Sequence, residues 1–231
     1  MRKLLLGDEA IAQAAIDSGL SGVYAYPGTP STEITEFIQL REEKRGDAQN
    51  PIFCRWATNE KTAMEGALGM SYMGKRALVC MKHVGMNVAA DPFVNSAMTG
   101  VNGGLVVVAA DDPSMHSSQN EQDSRFYGKF AMMPIFEPSS QQEAYEMTRA
   151  AFELSEAVKL PVLMRVTTRM AHSRAVVEVT ETPRKQNEIN RPEDVRTWIL
   201  LPAFAKRRYV QLLAQQDDLM KASLESKYNF Y

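Results

Sequence analysis

The chain alternates between two textures over most of its length. Short runs of apolar and β-branched residues stand at 22–26 (GVYAY), 52–57 (IFCRWA), 76–81 (RALVCM), 104–110 (GLVVVAA), 134–138 (PIFEP) and 161–167 (PVLMRVT). Between them lie longer segments with apolar residues at helical spacing: 8–18, 31–43, 59–73, 86–100, 120–131 and 139–158. Strands that are apolar at nearly every position are buried on both faces, as in a parallel sheet covered by helices. The strand–helix order therefore predicts an α/β domain over residues 1–180, with an open, mostly parallel sheet of about six strands and helices on both faces. After residue 180 the texture changes. A polar, proline-bearing linker leads into one amphipathic helix with no strand beside it. That organisation predicts a second segment, 181–231, leading into domains beyond the sequence given, or else a helix that folds back on the domain or on a twin subunit.

Composition narrows the class. With 45% hydrophobic and 23% charged residues the chain has enough apolar material for a buried core. A net charge of −2 without a basic tract makes nucleic acid or an anionic membrane surface a poor partner. The apolar stretch in MRKLLLGDEA stops after three leucines, so a signal peptide is not expected, and no run approaches the roughly 18 apolar residues of a membrane span. Cys54 and Cys80 lie far apart in apolar runs. They read as free thiols in a reducing cytoplasm, not as ligands of a zinc or iron–sulfur site.

In an open parallel sheet, ligands bind beyond the carboxyl ends of the strands. The loop after the first run is YPGTPSTE, from Tyr26 to Glu33. Gly28 with two prolines sets an unusual backbone, and Thr29, Ser31 and Thr32 bring hydroxyls to a helix start. They suit an anion or carbonyl site, or a simple helix cap with Glu33 behind it. The second run ends at Thr58-Asn59-Glu60, which puts a carboxylate among Ala57, Ala63, Met64 and Ala67. Glu60 is either a first-turn glutamate favoured by the helix dipole or a proton handle. The third run is followed by Lys82, His83, Gly85 and Asn87, and the fourth by a long polar stretch holding His116, Gln119, Asn120, Glu121 and Arg125. Polar loops of that length on a ligand face are more often functional than short turns are. No GxGxxG, GxxxxGK[ST] or GxSxG occurs, and no metal-ligand cluster is apparent. A ligand rim without a phosphate cradle resembles half of a site.

The motifs YPGTPSTE, WATNEKTAMEGALGMSYMGKRALVCMKHVGMNVAADP, GGLVVVAADDPSMHSSQNEQDSR and EPSSQQEAYEMTRAAFELSE resemble the N-terminal, pyrimidine-binding domain of the large subunit in the indolepyruvate:ferredoxin oxidoreductase family. These enzymes are thiamine-diphosphate-dependent 2-oxoacid:ferredoxin oxidoreductases. The likeness covers roughly residues 1–180. It implies that Glu60 hydrogen-bonds N1′ of the cofactor's aminopyrimidine and favours the imino form that takes the proton from thiazolium C2. A low-dielectric pocket strengthens such a shared hydrogen bond. The resemblance further implies cofactor contacts from Tyr26, Pro27, Gly28, Thr29, His83, Gly85 and Asn87, and substrate contacts from Thr29 and Arg125. An arginine fork suits the carboxylate of a 2-oxoacid. The family's Gly-Asp-Gly run, which holds the magnesium and diphosphate, does not occur here, and neither does its cysteine run for [4Fe–4S] clusters. The diphosphate-binding and ferredoxin-like domains are thus expected in further chain or another subunit. A smaller oxidoreductase subunit, ferredoxin, coenzyme A and a 2-oxoacid complete the implied partners, in an oligomer. The competing expectation is a non-catalytic α/β binding or regulatory module derived from such a domain.

Overall fold

The apolar runs pair as parallel strands. The computed structural model describes residues 1–46 and 49–229. The elements run β1 (Arg2–Leu6), α1 (Gly7–Asp17), β2 (Gly22–Ala25), α2 (Thr32–Arg45), β3 (Phe53–Trp56), α3 (Glu60–Tyr72), β4 (Ala77–Lys82), α4 (His83–Thr99), β5 (Leu105–Asp111), α5 (Arg125–Ala131), β6 (Ile135–Phe136), α6 (Gln141–Val158), β7 (Val162–Thr167), α7 (Thr168–His172) and β8 (Arg174–Glu178). A 3-10 turn (Val195–Trp198) and helices α8 (Pro202–Ala214) and α9 (Gln216–Leu224) follow. No described helix is long and apolar enough to cross a membrane.

Six strands form the main sheet in the order β3-β2-β4-β5-β7-β6, and every pair is parallel. The two-residue repeat of the strands sorts their side chains between two layers. Leu78, Cys80, Val106, Val108, Ala110, Val162 and Met164 face one layer, with α1, α2 and α6. Ala77, Val79, Met81, Leu105, Val107, Ala109 and Leu163 face the other, with α3 and α4. β4 and β5 are buried at every position, whereas the edge strand β3 is not. This is the doubly covered sheet that the apolar runs predict.

Three features differ from the sequence expectation. β1 and β8 pair antiparallel as a separate two-stranded ribbon, with Arg2 opposite Glu178 and Leu6 opposite Arg174. The leucines of β1 therefore form a strand that the runs read from the sequence did not include. The segment expected to be helical from 120 begins its helix only at Arg125. Asp111 and Asp112 hold the polar stretch before it as a loop. Asp111 accepts from Ser124 N at 3.1 Å, and Asp112 accepts from Ser117 N and Thr168 Oγ1, each at 2.8 Å. Burial pushes the Asp112 carboxyl up, but its donors from Ser118, Ser117 and Thr168 outweigh burial and hold it well below the usual carboxylate range. Finally, the single C-terminal helix is two helices that part at Gln215.

The chain beyond 180 lies on the domain. Arg184 N donates to Asp17 O at 2.8 Å, and Asn190 N to Met73 O at 2.9 Å. Trp198 stacks on Tyr72 with ring centroids 4.0 Å apart. Leu212 of α8 is buried in the α3–α4 layer, and Gln215 Nε2 donates to Val158 O.

Candidate functional site

The order in which strands are added reverses between β2 and β4. From β2 the chain steps outward to β3, then returns to the other side of β2 and proceeds to β5. Where strand order reverses, the connecting loops diverge and leave a crevice at the strands' carboxyl ends. Here that crevice is bordered by the loop after Ala25, the start of α3 and the start of α4.

Glu60 stands at this point as the first residue of α3. The residue before it does the capping. Asn59 Oδ1 accepts from Thr62 N at 2.9 Å, and Thr62 Oγ1 donates to Asn59 O at 2.9 Å. Glu60 is thereby free of a capping duty. The residue is 9% exposed, and its carboxylate makes no hydrogen bond among the described residues, although its oxygens are not sealed as those of Asp8 are. It lies against the bare Cα of Gly85 in the first turn of α4. A Cβ built on Gly85 would stand 2.6 Å from both Cγ and Oε1 of Glu60, so the close approach needs glycine.

The loop after β2 is braced from within. Ser31 Oγ donates to Gly28 O at 2.8 Å, and Gly28 N donates to Thr32 Oγ1 at 3.1 Å. Ser31 occupies the cap position of α2, yet neither it nor Thr32 caps the helix. The capping expectation for these hydroxyls is corrected: they close the loop on itself. Glu33 turns to His172 instead, 3.4 Å away. Gly28 packs against β4, since a Cβ there would lie 3.2 Å from Lys82 Cβ. Tyr26, Pro27 and Thr29 are exposed on the rim.

The remaining expected residues are distributed unevenly. Gly85 is beside Glu60. Asn87 is exposed one turn along α4, and its Oδ1 accepts from Tyr127 of α5. His83 is fully buried, with Nε2 3.1 Å from the Asn120 carbonyl and Nδ1 sealed without a partner. Its ring ties α4 to the 112–124 loop and presents no nitrogen to the rim. Arg125 is exposed and already held by Asp123 at 2.7 Å and Glu137 at 3.5 Å. Sequence reasoning passed over Asn59, whose Asx–x–x–Thr spacing signals the cap. It also passed over a role for Lys82, whose Nζ donates to Ser117 O at 2.7 Å. Two cavities of about 620 and 510 Å3 open elsewhere, one between Glu137, Gln141 and Arg165, the other between Pro27, Glu36 and Trp56. Neither is lined by Glu60.

An α/β domain with a carboxylate at its switch point, free of the helix cap, is a candidate ligand site. Residues 13–217 match the family described as pyruvate flavodoxin/ferredoxin oxidoreductase, thiamine diphosphate-binding. The chain belongs to this family. It is 44% identical over 228 residues to the indolepyruvate oxidoreductase subunit IorA of Archaeoglobus fulgidus, covering 98% of this chain and 36% of that protein. It is likewise 44% identical over 225 residues to subunit IorA of Methanothermobacter thermautotrophicus, covering 97% of this chain and 36% of that protein. With the 2-oxoglutarate synthase subunit KorA of the latter organism the identity is 27% over 184 residues, covering 76% of this chain and 47% of that protein. The chain thus spans about a third of the length of its IorA relatives. Its fold matches 2-oxoglutarate:ferredoxin oxidoreductase from Magnetococcus marinus, solved with 2-oxoglutarate, coenzyme A and succinyl-CoA bound. That match has a TM-score of 0.72 and 17% identity, and it covers 95% of this chain and 45% of that one.

Proposed function

We propose that this chain supplies the aminopyrimidine-activating half of the thiamine diphosphate site in a cytoplasmic 2-oxoacid:ferredoxin oxidoreductase, with indolepyruvate or another aryl pyruvate as substrate. The observation that carries the proposal is the Glu60 carboxylate, buried at the switch point against Gly85 and left unpaired by the Asn59 cap. A carboxylate so placed fits a ring nitrogen that must gain and lose a share of a proton. When bound, thiamine diphosphate supplies the nucleophilic carbon and the electron sink for decarboxylation. Glu60 holds or releases the proton at N1′. Gly85 keeps the wall beside Glu60 free of a side chain. Tyr26, Pro27, Gly28 and Thr29 form the braced rim that would hold the ring and the 2-oxo group.

Arg125 is the proposed anchor of the substrate carboxylate, which has to compete with Asp123 and Glu137 for its guanidinium. The chain spans about a third of the length of its IorA relatives, which favours completion of the crevice by further domains or another subunit. A diphosphate-binding domain with magnesium, a ferredoxin-like domain with [4Fe–4S] clusters, and a smaller subunit are the proposed completing parts, with coenzyme A and ferredoxin as co-substrates. The higher identity to IorA than to KorA proteins favours an aryl pyruvate over 2-oxoglutarate.

Ferredoxin reduction by the assembled enzyme, measured across indolepyruvate, phenylpyruvate, pyruvate and 2-oxoglutarate, tests this reading. The aryl pyruvates are expected to give the highest kcat/KM, and Arg125→Lys to raise KM for them. A preference for 2-oxoglutarate, or no ferredoxin reduction with any of the four, would overturn it.

A further inference from the structure

Three side chains from three elements converge on the far side of the β2–α2 loop. Asp8 is the second residue of α1, Glu33 the second of α2, and His172 the last of α7. One ligand atom from each lies within 4.8 Å of the other two. They are brought together by the packing of α7 on the start of α1, where Gly7 N donates to Ser173 O at 3.2 Å. The approach is close, since a Cβ on Gly7 would stand 2.1 Å from Met170 O.

The cluster is incomplete as it stands. Asp8 is 0% exposed, and neither of its carboxylate oxygens has a hydrogen-bond partner. Glu33 Oε2 is also sealed and unpartnered, while Oε1 lies 3.4 Å from His172 Nε2. A buried carboxylate with no donor costs several kcal/mol of desolvation unless something neutralises it. A single imidazole, already against Glu33, does not satisfy two carboxylates.

We propose that Asp8, Glu33 and His172 form a binding site for one divalent first-row transition-metal ion, separate from the Glu60 crevice. The donor set decides the class. Two carboxylate oxygens with one imidazole nitrogen suit manganese, iron or zinc better than calcium or magnesium, which prefer all-oxygen shells. Metal–ligand bonds of about 2.0–2.2 Å place neighbouring ligand atoms roughly 3–4 Å apart. The ligand atoms stand within 4.8 Å of one another, slightly wider than that spacing. The site is empty in this structure. His172 and Glu33 are 36% and 34% exposed at their side chains, so an ion enters past them and water completes the shell. Asp8 forms the sealed floor. An ion there would clamp α1, α2 and α7 together beneath the loop that carries Thr29.

The test uses the purified protein, stripped with EDTA and without thiamine diphosphate. MnCl2 is titrated in and free Mn2+ is read by electron paramagnetic resonance, with ZnCl2 as competitor. One Mn2+ is expected per chain at micromolar affinity, displaced by zinc. Asp8→Asn and His172→Ala are each expected to weaken binding by at least about tenfold, the scale of disrupted metal coordination. The melting temperature should rise with Mn2+ in the wild type and stay fixed in both variants. If Asp8→Asn fails to fold, His172→Ala carries the test, because its ring is partly exposed. No binding of either ion up to millimolar concentration would overturn the proposal. So would stoichiometric binding that both variants leave unchanged, which would mark adventitious surface sites only.

Discussion

Glu60 shows how one residue is released from a helix cap by its neighbour. In most helices a first-turn carboxylate is absorbed by the exposed N–H groups. Here Asn59 and Thr62 satisfy that end reciprocally, and Glu60 leans on Gly85. Gly85→Ala is expected to displace the Glu60 side chain, because the added methyl would fall 2.6 Å from Oε1. Alanine is at least as good a helix former as glycine, so the thermal midpoint should be little changed while turnover of the assembled enzyme falls about tenfold or more. Parallel melting curves and steady-state kinetics check this, and full activity in Gly85→Ala would show that the contact is not needed. At this scale Glu60 was legible in the sequence as a carboxylate in an apolar setting. Its freedom from capping was not, because Asn59 and Glu60 compete for the same role on paper. The inward placement of His83 was not legible for a related reason. A polar residue just after a strand reads as rim, but here α4 begins at that residue and turns its ring inward to the Asn120 carbonyl.

Among the elements, the strands were the most legible. β4 and β5 are apolar at almost every position because both faces are covered. The β1–β8 ribbon was not legible. Its partners are over 160 residues apart, as Arg2 opposite Glu178 illustrates, and neither strand alternates cleanly. The 112–124 loop was also misread in part. Its polar residues fit a helix, but carboxylates at its stem offer the backbone better partners than a helix would. A comparable side-chain knot joins β4, α6 and the 181–194 segment. Buried Arg76 pairs with Glu156 at 2.6 Å, and Asn187 Nδ2 donates to Glu156 Oε1 at 2.8 Å. Burial works to raise the Glu156 carboxyl, but Arg76 and Asn187 overcome it and bring it from 4.5 down to about 2. A depressed carboxyl contributes stability that is fully present above its unfolded value and lost as pH falls through its folded value. Glu156 should therefore stabilise the fold above pH 4.5 and lose that contribution towards pH 2. Urea unfolding of Glu156→Gln across this window should show a shallower pH dependence than the wild type. Identical slopes would remove Glu156 from the acid response.

For the molecule as a whole, the chain is an α/β domain with a tail laid over it, matching about a third of its IorA relatives. Its switch point holds the Glu60 carboxylate beside Gly85. The doubly wound architecture was legible because burial on both faces leaves a compositional mark. The docking of residues 181–229 was legible only as one of two alternatives, because it rests on scattered contacts such as Trp198 on Tyr72 and Leu212 in the α3–α4 layer. The central claim is that Glu60 controls the proton at the aminopyrimidine. Hydrogen–deuterium exchange at thiazolium C2, measured in the assembled enzyme with thiamine diphosphate bound, tests it most directly. Glu60→Gln is expected to slow exchange by at least about a hundredfold, the scale of a lost acid–base step. Glu65→Gln serves as the control, since Glu65 is half exposed and faces Lys61 at 4.0 Å; its exchange should match the wild type. Exchange in Glu60→Gln as fast as in the wild type would contradict the account and leave Glu60 as a residue at the end of a helix.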